Sequence, residues 1–528
     1  MKTTYKNKSM LKKVAVLGVL GLTLTVASCK KYTELNPLAS LSETTAFANA
    51  AGLELVMNGV YQQAAIGTYN GSALGSGRGY PFGGASIEQA EMRGEDMVNM
   101  AAFYQITYEA TYTPSSANNQ NHWDNLYNLI NQANVLIAGV ERSIASGSIT
   151  AAVGNSYMGE ARFLRALAHH ELLIHFSRPY ADGNGSAVGV PYRVTAINTP
   201  TGVQEAIAQN RGTVAQDYTQ LLADLDYAEA NCPEEQTAGF SRATKGAAIA
   251  LKTRIKLHQG DWAGVVTEGA KLGATGAAPY TSPIGGYTLE ASPETPFSSY
   301  TANSESMFSI ANSATSNGSV NGALPNMFGT TTNGGRALVA TSPNLYNASF
   351  WPQGDLRKTL LQQQGPNGVY YSFKYRVPAT SADWAPIIRY AEVLLNVAEA
   401  SQRNGNPTLA FNLLNAVRNR SVPVASRFAA APADLLRAIL NERRVEFAAE
   451  GRRWPDIHRL ALDPTYGTGG VPAKIRSTQA TSAVWDGVTQ YTPAITAKPY
   501  ADFRFLFPLP LTEINSNPTL AAQQNPGY

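Results

Sequence analysis

The chain has 528 residues, 41 of them Lys or Arg and 38 Asp or Glu, and charged side chains make up only 15%. Hydrophobic residues reach 44%, enough for a sizeable core, which excludes wholesale disorder. Five lysines fall within the first 13 residues, and past residue 28 the balance is 36 basic to 38 acidic, which leaves no basic footprint for nucleic acid.

Residues 1–13 are polar and lysine-rich, Val14 to Ser28 is an uncharged run of 15, and Cys29 follows at once. A positive start, a short apolar middle and small residues at the cut predict a secretory signal over 1–28. The run is too short to span a bilayer, and no stretch of about 20 apolar residues occurs elsewhere. Val26-Ala27-Ser28-Cys29 resembles the lipobox of bacterial lipoproteins, which implies cleavage before Cys29 and acylation there. Each buried methylene adds about 0.8 kcal/mol, so two or more chains give a stable anchor. Two cysteines make no disulfide framework; Cys232, between Asn231 and Pro233 at a helix exit, reads as a structural thiol.

Helical periodicity comes next. In Asn121–Arg142, Leu126, Leu129, Ala133 and Ile137 recur at three- and four-residue steps. Ser156–Phe176, Val214–Ala230 and Ala243–His258 read as further helices, the last ended by Gln259-Gly260-Asp261 with Asp261 capping a successor. Ile387, Tyr390, Ala391, Leu394, Leu395 and Ala398 form one apolar face; Gly405 stops that helix, Asn406 caps and Pro407 opens the next. A last helix is predicted over Asp434–Glu450. Helix pairs joined by short turns, and small residues such as Gly246-Ala247-Ala248, resemble tetratricopeptide (TPR) repeats without a strict 34-residue period. Between the pairs, residues 273–354 hold four charged side chains, Glu290, Glu294, Glu305 and Arg336, and read as loops with short strands such as Met307–Ile310. Residues 66–112 and 464–502 are similar, and long ordered loops of this kind usually carry function.

Catalytic patterns are missing. No Gly-Lys dipeptide or Gly-x-Ser-x-Gly elbow occurs, and the 183–189 glycine stretch misses dinucleotide spacing. His170 and His175 stand five residues apart, about 140° around a helix, so one regular helix cannot aim both at a metal. No metal or cofactor is expected. Glu91, Glu95 and Asp96 form an acidic cluster for which capping and salt bridges compete with acid–base chemistry. Glu442, Glu446 and Glu450 among several arginines read as an ion-paired helix face.

Several segments together resemble one family. They are Gly159-Glu160-Ala161-Arg162-Phe163-Leu164-Arg165-Ala166, Arg242 to Ala248, and Ile388 to Leu395 with Ala398-Glu399-Ala400. Glu442 to Phe447, Glu450 to Ile457, Phe505 to Pro510, Glu513-Ile514 and Gln524 to Tyr528 complete the set. In this order the chain from Cys29 to Tyr528 is similar to the SusD/RagB family of outer-membrane nutrient-binding lipoproteins, with Pro455 and His458 as small departures. The resemblance implies a mostly α fold over 29–528, a TPR-like helix-pair scaffold with a loop-rich excursion containing short β-strands. The scaffold would occupy about 40–65, 118–272 and 386–462, and the excursions about 66–117, 273–385 and 463–504. It further implies a cell-surface, lipid-anchored, non-enzymatic protein that binds oligosaccharides and acts as a lid on a SusC-like TonB-dependent outer-membrane transporter.

Ligand contacts in that family come from the loop after the first acidic segment and from the excursion. Here these point to Arg78, Asn99, Phe103, Tyr104, Gln105, Tyr108 and Tyr112, then to Tyr280, Tyr287, Tyr300, Asn333, Tyr346 and Trp351. Aromatic rings suit the C–H faces of sugars, and amides and arginine suit the hydroxyls. Trp123, Trp262 and Trp454 are assigned to the core, and Arg389, Glu392, Arg444 and Arg453 to scaffold ion pairs. Two other readings stand beside this one: a lipid-anchored glycoside hydrolase using Glu91, Glu95 or Asp96, and a TPR-like scaffold that binds only proteins.

Overall fold

The scaffold helices begin where a side chain can hold their first free amides. Helix α1 (Ala50–Ala65) starts on Asn49, which accepts from the Gly52 N–H at 2.9 Å. The computed structural model describes residues 43–71 and 77–528; the signal segment and Cys29 lie outside them. After α1 come α2 (Gly84–Arg93), strand β1 (Met97–Asn99), and the long antiparallel pair α3 (Ala117–Ala145) and α4 (Ala151–Phe176). Then follow α5 (Val214–Asn231), α6 (Lys245–Gln259) and α7 (Trp262–Lys271). Gly260 adopts the left-handed conformation, and Asp261 caps α7 by accepting from the Gly264 N–H at 2.9 Å, as the sequence predicts.

The second half opens with strands β2 (Ser306–Ile310), β3 (Val339–Thr341), β4 (Gln362–Gln364), β5 (Tyr370–Ser372) and β6 (Ala385–Arg389). Helices α8 (Tyr390–Arg403), α9 (Pro407–Arg418), α10 (Leu435–Glu446) and α11 (Arg453–Arg459) return to the scaffold. Asn406 caps α9 from the Leu409 N–H at 3.1 Å with Pro407 in the first turn. Helix α10 stops four residues earlier than predicted, because the chain turns through Ala449 and Gly451, both at positive φ.

Three differences from the sequence reading matter. Residues 84–93, read as loop, form α2, all ten of whose residues are buried. Its polar side chains are buried along with the apolar ones, so no apolar face announces it. Gly246 does not bring two helices together: a β-carbon there would lie 2.6 Å from the Tyr287 ring, so the glycine seats an excursion side chain on α6. Trp123 and Trp454 are buried as expected, whereas Trp262 is half-buried.

Two features hold the excursions, one joining them to each other and one joining them to the scaffold. Strands β1, β3, β5 and β4 form an antiparallel sheet in that order. Val98, Ala340 and Tyr371 on one face pack beneath Ile475 and Ala480, with Trp485 and Tyr491 at the margin. The other fastening is a buried charge cluster. Arg389 reaches Glu450 at 2.7 Å, Glu446 at 2.9 Å and Glu305 at 2.5 Å; Arg357 reaches Asp355 at 2.8 Å and Glu446 at 3.0 Å. Lys374, Arg418 and Arg420 join Glu450, Glu442 and Glu446 at 2.6, 3.0 and 2.6 Å. Among the described residues, no helix is long and apolar enough to cross a membrane.

Candidate ligand-binding site

The loop after α1 and the turn after β1 meet at Arg78. Its guanidinium lies 3.9 Å from the centre of the Tyr69 ring and 4.8 Å from that of Phe103. All three side chains are half-buried, and Arg78 has no ion-pair partner among the described residues. Planar groups held this way offer flat, weakly hydrated surface beside unspent N–H donors. The position is set by backbone packing: a β-carbon on Gly322 would sit 2.2 Å from the Arg78 carbonyl oxygen, so only glycine lets the 318–323 turn close against this loop. Next to the stack, the Asn99 side chain donates to the Gln105 side-chain carbonyl at 2.8 Å, while the buried Asn99 carbonyl oxygen has no partner. Ala101, Ala102 and the exposed Ile106 complete the surface.

Four of the expected contacts, Arg78, Asn99, Phe103 and Gln105, are thus brought together. Tyr104, Tyr108 and Tyr112 are not on this surface, because each is buried and its hydroxyl is used. Tyr104 donates to the Ala85 carbonyl at 3.1 Å and lies 3.1 Å from the Tyr80 hydroxyl, forming the floor under Phe103. Tyr108 donates to the Ile475 carbonyl at 2.6 Å, and Tyr112 to the Arg504 carbonyl. Tyr108 and Tyr112 pin the 102–112 segment to the late excursion, the ordinary fate of a buried phenol.

The second set divides as well. Tyr280 is buried, and Tyr287 is bonded to Thr244 at 2.9 Å while lining a cleft of about 300 Å³ with Phe240 and Asn303. Tyr300 is half-buried beside Trp384. Asn333 is half-buried and donates to Gln363 on β4 at 2.6 Å. Tyr346 stacks on Tyr370 with ring centres 4.5 Å apart, meets Trp485 edge-on at 5.3 Å, and has the buried Trp351 5.9 Å away. Met100, one residue past β1, packs against the same cluster as Trp485 and Tyr491, so residues 99–105 join the Arg78 stack to these rings. Tyr69, Tyr370, Trp485 and Lys358 were not legible in the sequence; the only available signal for Tyr69 was its place in a glycine-rich stretch with Arg78.

The acidic cluster is structural. Glu95 pairs with Arg453, with one contact at 3.1 Å, and Asp96 with Arg444, with one at 3.0 Å. Burial would raise the Glu95 carboxyl, but Arg453 and Arg444 hold it down to about 2. Glu91 accepts from the Gly451 N–H at 2.7 Å and is pushed up to about 8 by burial. Glu95 and Asp96 are locked to guanidinium partners and Glu91 faces backbone, so the three carboxyls are engaged in structural contacts. The expected pairing of Arg389, Glu392, Arg444 and Arg453 is also observed, Glu392 joining Arg254 at 2.6 Å.

His122, Glu171 and His175 converge in the core, with the His175 Nε2 3.2 Å and the His122 Nε2 3.7 Å from a Glu171 oxygen. This arrangement does not suit a metal. Arg93 approaches the His175 Nδ1 at 3.1 Å and can only donate, so Nδ1 accepts and Nε2 carries the proton toward Glu171. A metal on Nε2 would set an Nδ1–H against the guanidinium.

A helical scaffold that carries clustered aromatic and polar side chains on braced loops has the layout of a binding protein. Residues 304–528 match the SusD family model, and residues 73–257 match a model described as starch-binding and associating with the outer membrane. The chain belongs to the SusD/RagB family, non-catalytic SusD-like proteins that bind carbohydrate and associate with the outer membrane. A SusD-like protein of Formosa agariphila is 22% identical, with 95% of this chain and 97% of that protein aligned. The crystal structure of a SusD superfamily protein from Bacteroides fragilis superposes with a TM-score of 0.72 at 24% identity, covering 89% of this chain and 98% of that one. A laminarin-binding SusD-like protein superposes with a TM-score of 0.65 at 21% identity, covering 91% and 100%. The mostly helical SusD-like fold with small antiparallel sheets is therefore the one expected from the sequence.

Proposed function

We propose that this protein captures oligosaccharides at the cell surface, tethered by lipid on Cys29, and delivers them as a lid to a SusC-like TonB-dependent transporter in the outer membrane. The observation that carries the reading is the Tyr69–Arg78–Phe103 stack beside Asn99 and Gln105, on loops braced by an ion-paired scaffold. Rings and a guanidinium take the C–H faces of a pyranose, and the amides and remaining N–H groups take its hydroxyls. Asn333, with Tyr370 and Trp485 over the buried Tyr346, extends the contact surface, and Tyr300 with Trp384 offers a separate ring pair. A structural neighbour named for laminarin binding supports sugar as the ligand class.

The test is calorimetry on a soluble form lacking residues 1–29 against a panel of neutral and acidic oligosaccharides. Binding to at least one, weakened by Phe103→Ala with the fold intact, is expected; binding to none overturns the reading. The lid role predicts co-purification with a TonB-dependent barrel when Cys29 is retained, and Cys29→Ala should release the protein from the membrane fraction.

A further inference from the structure

Lys358 is a buried cation whose ammonium is engaged by no carboxylate among the described residues. It is 5% exposed, and its ammonium has neither a hydrogen-bond acceptor nor an ion-pair partner among the described residues. The nearest acid in sequence, Asp355, is committed to Arg357, accepting at 2.8 and 3.1 Å from that guanidinium and at 2.9 Å from its backbone N–H. The Lys358 ammonium instead lies 4.5 Å from the centre of the Tyr346 ring and 5.4 Å from that of Trp351. The indole N–H of Trp351, a residue only 1% exposed, also lacks an acceptor. Two buried donors thus flank one tyrosine ring, and each unpaired buried donor carries a desolvation cost that an acceptor would relieve.

Tyr346, itself 6% exposed, is covered by two further rings. Tyr370 and Trp485, both half-exposed, pack on Tyr346 from the outside. The loop bearing Trp485 is held by Asn347, whose amide donates to the Val484 and Thr489 carbonyls at 2.7 and 2.8 Å. The nearby Asp486 carboxylate is turned into its own loop, accepting from the Val488 and Thr489 N–H groups at 2.9 and 2.8 Å. Burial draws the Lys358 ammonium down to about 8, against the smaller opposing pull of the Asp355 charge.

We propose that the box formed by Tyr346, Trp351, Lys358, Tyr370 and Trp485 receives a carboxylate or sulfate group carried on a sugar, so that the protein selects acidic glycans. The anion pairs with the Lys358 ammonium and accepts from the Trp351 N–H, while Tyr370 and Trp485 stack on the ring that bears it. The inference rests on the carbohydrate-binding reading above and adds its charge preference.

The test is calorimetry at pH 7 with a galacturonic acid trimer, a sulfated galactan oligomer, their neutral counterparts and inorganic sulfate, on wild type, Lys358→Met and Lys358→Arg. Methionine keeps the apolar stem, so folding is checked by circular dichroism and expected to hold. Wild type should bind at least one acidic oligomer about 10- to 100-fold tighter than its neutral counterpart, the range set by a hydrogen bond to a charged group. Lys358→Met should abolish that preference, and Lys358→Arg should retain it. Equal affinity for acidic and neutral oligomers, or a preference that survives in folded Lys358→Met, overturns the proposal alone. Binding of inorganic sulfate without either acidic oligomer overturns it as a glycan site. Binding of no glycan at all overturns the parent reading with it.

Discussion

Arg389→Met tests whether the buried charge cluster holds the middle excursion to the scaffold. Arg389 is 2% exposed and bridges Glu305, before β2, to Glu446 and Glu450, at and beyond the end of α10. In the wild type, Arg357, Lys374, Arg389, Arg418 and Arg420 offset Asp355, Glu305, Glu442, Glu446 and Glu450. The substitution leaves one surplus buried negative charge and strips a partner from three carboxylates. Deleting one side of such a pair costs about 3–5 kcal/mol, a large share of the roughly 5–15 kcal/mol that holds a native domain together. Urea unfolding followed by tryptophan fluorescence at pH 7.5 reads this deficit. The pH dependence has a definite sign. Burial alone would raise the Glu446 carboxyl, but Arg420, Arg389 and Arg357 hold it far below its ordinary value. Without Arg389 the folded-state carboxylates take up a proton at higher pH, so the handicap relative to wild type shrinks as pH falls toward 5. Adding Glu450→Gln to Arg389→Met should recover about 1–3 kcal/mol, since the two positions share one network. A deficit below about 1 kcal/mol, as for solvated surface pairs, or one that grows on acidification, would refute this account.

Arg78→Ala and Phe103→Ala should each weaken glycan binding about tenfold with an unchanged melting temperature, whereas Tyr104→Phe should leave affinity alone and cost about 1 kcal/mol of stability, through its lost hydroxyl; calorimetry and thermal melts on the same samples separate the outcomes. Burial, followed by the neighbouring His175, pushes the His122 ring down to about 3, so it stays neutral in the folded protein while the unfolded chain protonates below its ordinary value. Wild type should therefore lose about 2 kcal/mol between pH 7 and pH 5 that His122→Phe does not, measured as the change in their stability difference by urea titration. Burial likewise pushes the Cys232 thiol far up, so a thiol reagent should label it only in denaturant, as mass spectrometry of intact protein would show.

The scaffold was legible because its helices display an apolar stripe and end on capping residues: Asp261 and Asn406 cap where their side chains predict. Helix α2 was not, because burial on all sides replaces the stripe with buried polar side chains, among them Glu91, whose partner Gly451 lies far along the chain. For the site, composition identified the right loops but could not tell surface rings from fasteners. Phe103 and Tyr104 are neighbours in sequence, yet the first faces outward beside Arg78 and the second is sealed beneath it by Tyr80 and Ala85. Only the fold decides that, because tyrosine serves equally as a ligand platform and as a buried donor. Lys358 was hidden for the converse reason: a lysine in a short polar helix looks like a solvated one until its neighbours prove to be rings.

The Asp96–Arg444 and Glu95–Arg453 pairs span 348 and 358 positions of chain. The stretches 73–257 and 304–528 are matched by different family models, yet they are not separable modules. An expressed fragment of either would leave half of each latch charged and orphaned, and a chimera of two relatives would have to inherit both sides of it together. Nearly the whole polypeptide must emerge before these contacts can form, so the early half of the chain waits on the late half for its charge partners.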